Sequence, residues 1–356
     1  MKTILFVKAA SAVALLLICS ISTANAKSWR INNDTRKSAN FTDINAAMAS
    51  EEVLAGDTLY LDPGSVYSNV QTITKAVVIV GNGYFLQNGM VSATIIGNVN
   101  VKATGTKMMG VSMNGWVYIN ADNVSLERCK IFNTIQSNSG VRYGLNVTQC
   151  YINCSTDRSA ICGYSTDHFR NATIKNNIII HKYCQSRNYS AIEGVYDSEI
   201  SNNYLVVESC TNSYAQDVIY NVTNSQIYNN IIRHGSYPDR ICANTGSDSN
   251  NGFYNNVISA AEGTYTNVSN IVYLGTQDFS SVFADGLNDA AYRLKANSQA
   301  KGAGVDGSDC GAFGGNTPYV ESGLPLYHPY VTKAIVAGKS VNGEVDVMLN
   351  VKMQNE

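Results

Sequence analysis

Ala172-Thr173-Ile174-Lys175-Asn176-Asn177-Ile178-Ile179 is the stretch on which the fold turns, because it returns three times without gaps. Its copies are Ser198-Glu199-Ile200-Ser201-Asn202-Asn203-Tyr204-Leu205, Ser225-Gln226-Ile227-Tyr228-Asn229-Asn230-Ile231-Ile232 and Asn251-Gly252-Phe253-Tyr254-Asn255-Asn256-Val257-Ile258. The second Asn of each pair recurs at spacings of 26, 27 and 26 residues. Upstream, Asn123 to Ile131 and Leu145 to Ile152 keep the same apolar frame, with Cys129 and Cys150 where the second Asn stands. A period of 20 to 30 residues built from short β-rich pieces bounded by Asn, Gly or Ser predicts a β-solenoid, in which each coil adds one rung to several parallel sheets. Helical repeats would need apolar residues at three-to-four spacing, and leucine-rich repeats would need Leu at fixed offsets. The positions here are mostly Ile and Val.

Rungs stack at about 4.8 Å, so equivalent residues form columns. Asn177, Asn203, Asn230 and Asn256 are therefore expected to make an inward ladder that satisfies buried turn backbone. The same columns place Cys129 beside Cys150, and Cys184 beside Cys210, each of these last two lying seven residues after a ladder Asn. Rung spacing falls inside the Cα window of a disulfide, so both pairs are candidates for bridges or for stacked buried thiols. The pairing of Cys154, Cys162, Cys242 and Cys310 stays open, and without a C-x₂-C pair four-cysteine zinc is not expected.

Composition agrees with a solenoid. The 356 residues include 41 Asn and 22 Tyr but only 5 Pro, and 15% are charged, a poor mixture for helices. The net charge of −2 gives no basic surface for a nucleic-acid polyanion. Residues 1–26 read as a secretory signal, with Lys2 and Lys8, an apolar run from Ala12 to Ile18, and Ala24-Asn25-Ala26 as an A-x-A cleavage site. Export is thus expected, to the periplasm, the cell surface or the medium, and the mature chain keeps 23 basic against 27 acidic residues. No later apolar stretch reaches the roughly 20 residues of a membrane span. An exported chain meets oxidants, which permits disulfides.

The rung pattern, the Asn ladder and both ends resemble the secreted right-handed parallel β-helix proteins grouped around pectate lyases and polygalacturonases. The resemblance covers roughly residues 40 to 315. Phe41-Thr42-Asp43-Ile44-Asn45-Ala46-Ala47-Met48 followed by Gly56-Asp57-Thr58-Leu59-Tyr60-Leu61 looks like the capping helix and first strand of that superfamily, with Thr42 as N-cap and Ile44, Ala47 and Met48 as the closing face. Tyr292 to Ala300 and the glycines from Gly302 to Gly315 are similar to its closing segment. The expected organisation is a signal peptide over 1–26, an all-β right-handed parallel β-helix over 27–315, and a β tail or cap over 316–356. In that tail Val345, Val347, Leu349, Val351 and Met353 alternate as in a strand with one buried face, covering the open end or packing along the helix.

The resemblance implies a ligand groove along the sheet that precedes the ladder sheets, and an extracellular polysaccharide or glycan as the partner of a monomeric protein. Aligning Ser159 to Tyr164, Ser190 to Val195 and Val218 to Asn221 turns Ile161, Ile192 and Ile219 inward and Cys162, Glu193 and Tyr220 outward. Arg142 is expected in the same outward column, about two rungs or roughly 10 Å from Glu193. The long insertions at 181–189, 208–216 and 234–250 bring His181, Lys182, Arg187, Glu208, His234, Tyr237, Asp239 and Arg240 to the groove edge.

β-Elimination on a uronic acid needs a cation to neutralise the carboxylate and a base to take the adjacent proton. No acidic cluster suggests calcium, so no cofactor or metal is expected, and Arg142, Lys182, Arg187 or Arg240 would serve with His181, His234 or Tyr220. A hydrolase needs converging carboxylates, and Glu193 with Asp217 or Asp197 is the only pair on offer. The family's Asp-Asp and Asn-Thr-Asp motifs are absent. Tyr237 and the other groove tyrosines could stack on sugar rings. The function expected is therefore binding of an extracellular polysaccharide, with elimination favoured over hydrolysis. The alternative is a non-catalytic adhesin or glycan-binding β-helix.

Overall fold

The computed structural model describes residues 26–86, 90–138, 140–163, 168–182, 189–208, 217–242, 250–276, 278–324, 329–336, 344 and 347–353. Among the described residues three parallel sheets of ten, ten and nine strands run from Ser28 to Tyr273, and each coil visits them in the order sheet 1, sheet 2, sheet 3. In one coil these are Thr173–Lys175, Ile178–His181 and Ile192–Tyr196, after which Glu199–Ser201 begins the next. The protein is an all-β parallel β-helix.

Alternation along each strand builds the core. The inward column of sheet 1 reads Leu59, Ile79, Met108, Leu126, Val147, Ile174, Ile200, Ile227 and Phe253, every one buried against its rung neighbours. Sealing each such side chain from water contributes about 1.5–3 kcal/mol. Over its later rungs sheet 2 carries apolar residues on both faces. Ile178 and Ile180 point out beside the inward Ile179, and their outer layer is covered by Phe279, Val282, Ala300, Ala312 and Tyr319. This explains runs such as Ile178-Ile179-Ile180 and Tyr204-Leu205-Val206-Val207, which a sheet wetted on one side would not tolerate.

The corner between sheets 1 and 2 uses the two Asn residues differently. The first takes positive φ, 54° at Asn176, 52° at Asn202, 56° at Asn229 and 50° at Asn255, a conformation Asn adopts more cheaply than other side chains. The second is the buried ladder. Asn203 Oδ1 accepts from Asn177 N at 2.9 Å, and Asn203 Nδ2 donates to Ile174 O at 2.8 Å and to Asn230 Oδ1 at 3.0 Å. Asn230 repeats the pattern with Asn256. Cys150 and Cys129 continue the column as separate thiols rather than a disulfide, with Cys129 N donating to Cys150 Sγ at 3.4 Å where an amide oxygen would otherwise accept. Cys184 and Cys210 lie outside the described residues.

The ends show two departures from expectation. The cap α1 (Ile44–Ala49) buries Ile44, Ala47 and Met48, but its N-cap is Asp43, not Thr42, because the Asp43 carboxylate reaches Ala46 N at 2.7 Å. At the far end, Tyr265 caps the last rung of sheet 3, its hydroxyl accepting from Ile241 N and donating to Asp239 O. The chain then returns along the ladder corner. Ala303 O, Val305 N, Asp309 O, Ala312 O, Pro318 O and Leu324 O meet the side chains of Asn255, Asn229, Asn202, Asn176, Gln149 and Arg128 in turn. Beyond it, Pro329–Val336 and Val347–Met353 form an antiparallel hairpin that pairs with no other described strand. The buried face expected there is not observed: Val347, Leu349 and Val351 are 56%, 53% and 53% exposed. Val345 is outside the described residues.

Candidate functional site

Sheet 2 is covered by the chain's own return segment, so the outer face of sheet 3 is where insertions can enter. Its outward column runs Asn100, Tyr118, Gln136, Cys162, Glu193 and Tyr220. Arg142 is not in it, contrary to expectation. Gln136 holds that place, and Arg142 pairs with Phe169, in the register that continues through Val195 to Val222. The reason is a break in sheet 3. The strand Ile192–Tyr196 pairs on one side with two short strands, Ile161–Cys162 and Phe169–Arg170, separated by an insertion, so alignment by counting residues slips past the gap.

Gly194 lies opposite that break. Its φ of +68° adds a residue to the strand, so that Glu193 and Tyr196 both face outward while Val195 turns in. Asn221 repeats the device on the next rung at φ 51°. A side chain at position 194 would also sit 3.4 Å from His168 Nδ1. His168 stacks edge-on to Tyr196 with centroids 4.2 Å apart, and the Arg170 guanidinium lies 5.4 Å from the same ring. Tyr196 Oη donates to Asn221 Oδ1 at 2.9 Å, and Arg170 pairs with Asp197 at 2.6 Å. His168 and Arg170 escaped the sequence reading. The available signal was the Phe169-Arg170 dipeptide matching Val195-Tyr196 ahead of the repeat.

Glu193 stands beside this group. Burial pushes its carboxyl above the usual range, against the Ser159 hydroxyl at 2.6 Å and the attraction of Arg158, which favour ionisation. Cys162 follows the outward register but is buried, near Thr134 Oγ1 at 3.8 Å, and burial raises its thiol to about 12. Tyr220 is 39% exposed. Asp217 is also raised by burial, with Arg240 at 3.9 Å drawing it back. Register sets Asp217 three residues and one rung from Glu193, roughly 10 Å along the sheet.

The remaining candidates occupy other surroundings. His181 and His234 share the register that runs through Val207, and both are fully buried. His181 Nε2 donates to Arg158 O at 2.9 Å, whereas His234 Nδ1 accepts from Ser236 N and Tyr237 N at 3.2 and 3.1 Å. Burial lowers each imidazole to about 4, so both are neutral supports of loop backbone at ordinary pH. Lys182 lies 3.8 Å from Glu208, and Tyr237 packs against the core with its ring 5.5 Å from His234. Arg187 is outside the described residues. Among the described residues no cluster of three or more His, Cys, Asp or Glu could hold a metal ion. No protein-family model matches the chain, and a search of curated proteins finds no match.

Proposed function

We propose that this chain is an exported carbohydrate-active β-helix protein that binds an extracellular polysaccharide across the outer face of sheet 3, where the chemistry favoured is β-elimination. The observation that carries the reading is the convergence of His168, Arg170 and Tyr196 around Gly194, directly beside the raised carboxyl of Glu193. An imidazole can take a proton α to a carboxylate, guanidinium groups can stabilise the charge that develops, and a protonated carboxyl can deliver a proton to the leaving oxygen. Hydrolysis fits less well. Glu193 and Asp217 diverge along the sheet, and Asp217 is engaged by Arg240.

Incubating the purified mature chain with uronic-acid polysaccharides, reading ultraviolet absorbance of the unsaturated product alongside reducing ends, tests the proposal. A rise in both supports elimination, and Glu193→Gln should then lower turnover by about 10²-fold or more. Reducing ends without absorbance would replace elimination with hydrolysis. A non-catalytic glycan binder is the second reading, favoured because Arg170 and Tyr196 already hold Asp197 and Asn221. Retention on the polysaccharide with neither product would establish it.

A further inference from the structure

The loop 155–160 links the sheet 2 strand Tyr151–Cys154 to the sheet 3 strand Ile161–Cys162, and its course is fixed from below. The backbone carbonyl of Arg158 receives the Nε2–H of His181 at 2.9 Å and the thiol of Cys154 at 3.4 Å. Both donors are buried, and they occupy the same register position on adjacent rungs of sheet 2. One residue on, the carbonyl of Ser159 accepts from Thr134 Oγ1, while the Ser159 hydroxyl binds Glu193. Three buried side chains therefore hold two successive carbonyls of a six-residue loop.

What this clamp presents is the Arg158 side chain. Arg158 adjoins Ser159, whose hydroxyl donates to Glu193 at 2.6 Å, so its guanidinium, which donates to Asp157 O at 3.0 Å, stands at the edge of the outward column of sheet 3 that holds Tyr118, Cys162 and Glu193 and favours their ionised forms. Beneath that span Gln136 is buried, with its Oε1 lacking a hydrogen-bond partner, and Trp116 and Tyr118 lie beyond it with rings 5.9 Å apart. An aromatic pair, a cation and a protonatable carboxyl thus follow one another along the sheet. A saccharide bearing hydroxyls and a carboxylate offers the complement of each.

We propose that Arg158 recognises the carboxylate of the bound saccharide and that His181 is its positioning residue, acting from beneath the sheet without touching ligand. The proposal rests on the polysaccharide reading above for its ligand, but not for the link between His181 and Arg158.

Two measurements on the full mature chain separate these parts. The first is a ¹³C NMR titration of the Glu193 carboxyl in wild type, Arg158→Gln, His181→Leu, His181→Gln and Cys154→Ala, with thermal unfolding as the control for folding. Removing the cation raises the Glu193 midpoint, and His181→Leu should raise it as Arg158→Gln does. His181→Gln, whose amide can donate to the same carbonyl, should return it to wild type. Cys154→Ala should give an intermediate rise and serves in place of His181→Leu if that variant does not fold. The second is binding of oligouronates and their methyl esters. Arg158→Gln should weaken the acid form about tenfold or more and leave the ester within about twofold, with His181→Leu following it.

A folded His181→Leu chain with the wild-type Glu193 midpoint overturns the positioning role. Equal acid and ester affinities in wild type and Arg158→Gln overturn carboxylate recognition. If wild type binds no saccharide of either form, the polysaccharide reading falls with the recognition role, while the titration still decides whether His181 positions Arg158.

Discussion

Asn202 and Asn203 are adjacent in the chain and serve opposite sides of one corner: Asn202 Nδ2 donates outward to Asp309 O at 3.3 Å, and Asn203 Nδ2 donates inward to Ile174 O at 2.8 Å. Their substitutions should therefore differ in kind. Asn203→Ala strands the amide N–H of Asn177 and the carbonyl of Ile174 in the core and breaks the chain of side-chain amides, so a loss of about 3–5 kcal/mol is expected. Asn202→Ala removes one contact with the return segment and places Ala at positive φ, a cost of about 1–2 kcal/mol, part of which Asn202→Gly should recover. Urea unfolding of the three variants checks the order.

The second Asn announced itself through the 26- and 27-residue spacing, because a ladder repeats wherever the rung repeats. Its partner's outward role was not legible, since the strap it holds, residues 303–324, has no period of its own and meets the corner only through tertiary packing. The site divides in the same way. Ile161, Ile192 and Ile219 could be turned inward by alternation alone, and Glu193 and Tyr220 outward with them. Arg142 could not be placed, because the strand break opposite Gly194 inserts residues that ungapped counting ignores. For His181 the obstacle was chemical: a histidine at a loop edge reads as a proton carrier until its burial and its bond to Arg158 O are known.

Both buried histidines make stability depend on pH. Their folded values near 4 lie below the ordinary imidazole value of about 6.5, so the unfolded chain binds more protons between those limits. The stabilisation is complete above about pH 6.5 and is lost as pH falls toward 4, on the order of 2 kcal/mol for each histidine. Protonating His234 Nδ1 would also forfeit its bonds from Ser236 N and Tyr237 N. Denaturant unfolding at pH 7 and pH 4.5 should show this drop, and a His181→Gln, His234→Gln chain should show a smaller one.

The hairpin and the strap should separate on truncation. A chain ending after Leu324 keeps every described contact between the strap and the ladder corner, including Tyr319 Oη with Tyr84 Oη at 2.6 Å, and should melt within about 2 °C of the full chain. A chain ending at Gly302 uncovers Tyr84, which loses Tyr319, and Ile231, which loses Gly311, on the outer face of sheet 2, and should melt far lower or aggregate. Differential scanning calorimetry distinguishes the two. Equal losses would mean that the hairpin supports the solenoid after all.

Glu193 supplies the opposite pH signature. Its folded carboxyl is raised by burial, so its contribution to stability is present below the unfolded carboxylate range and is lost as pH rises through the folded value. Glu193→Gln removes that loss. The variant should gain on wild type as pH rises through the ionisation of Glu193. Ser159→Ala should push the other way. It takes the 2.6 Å hydrogen bond from the ionised carboxylate, raising Glu193 further, and it orphans the backbone N–H of Ser190, which donates to Ser159 Oγ at 2.9 Å. A stability loss of about 1–3 kcal/mol is expected from that orphaned group. Paired urea titrations at pH 5 and pH 8 measure both effects, and a Glu193→Gln chain no more stable relative to wild type at pH 8 than at pH 5 would mean that burial does not raise the Glu193 carboxyl.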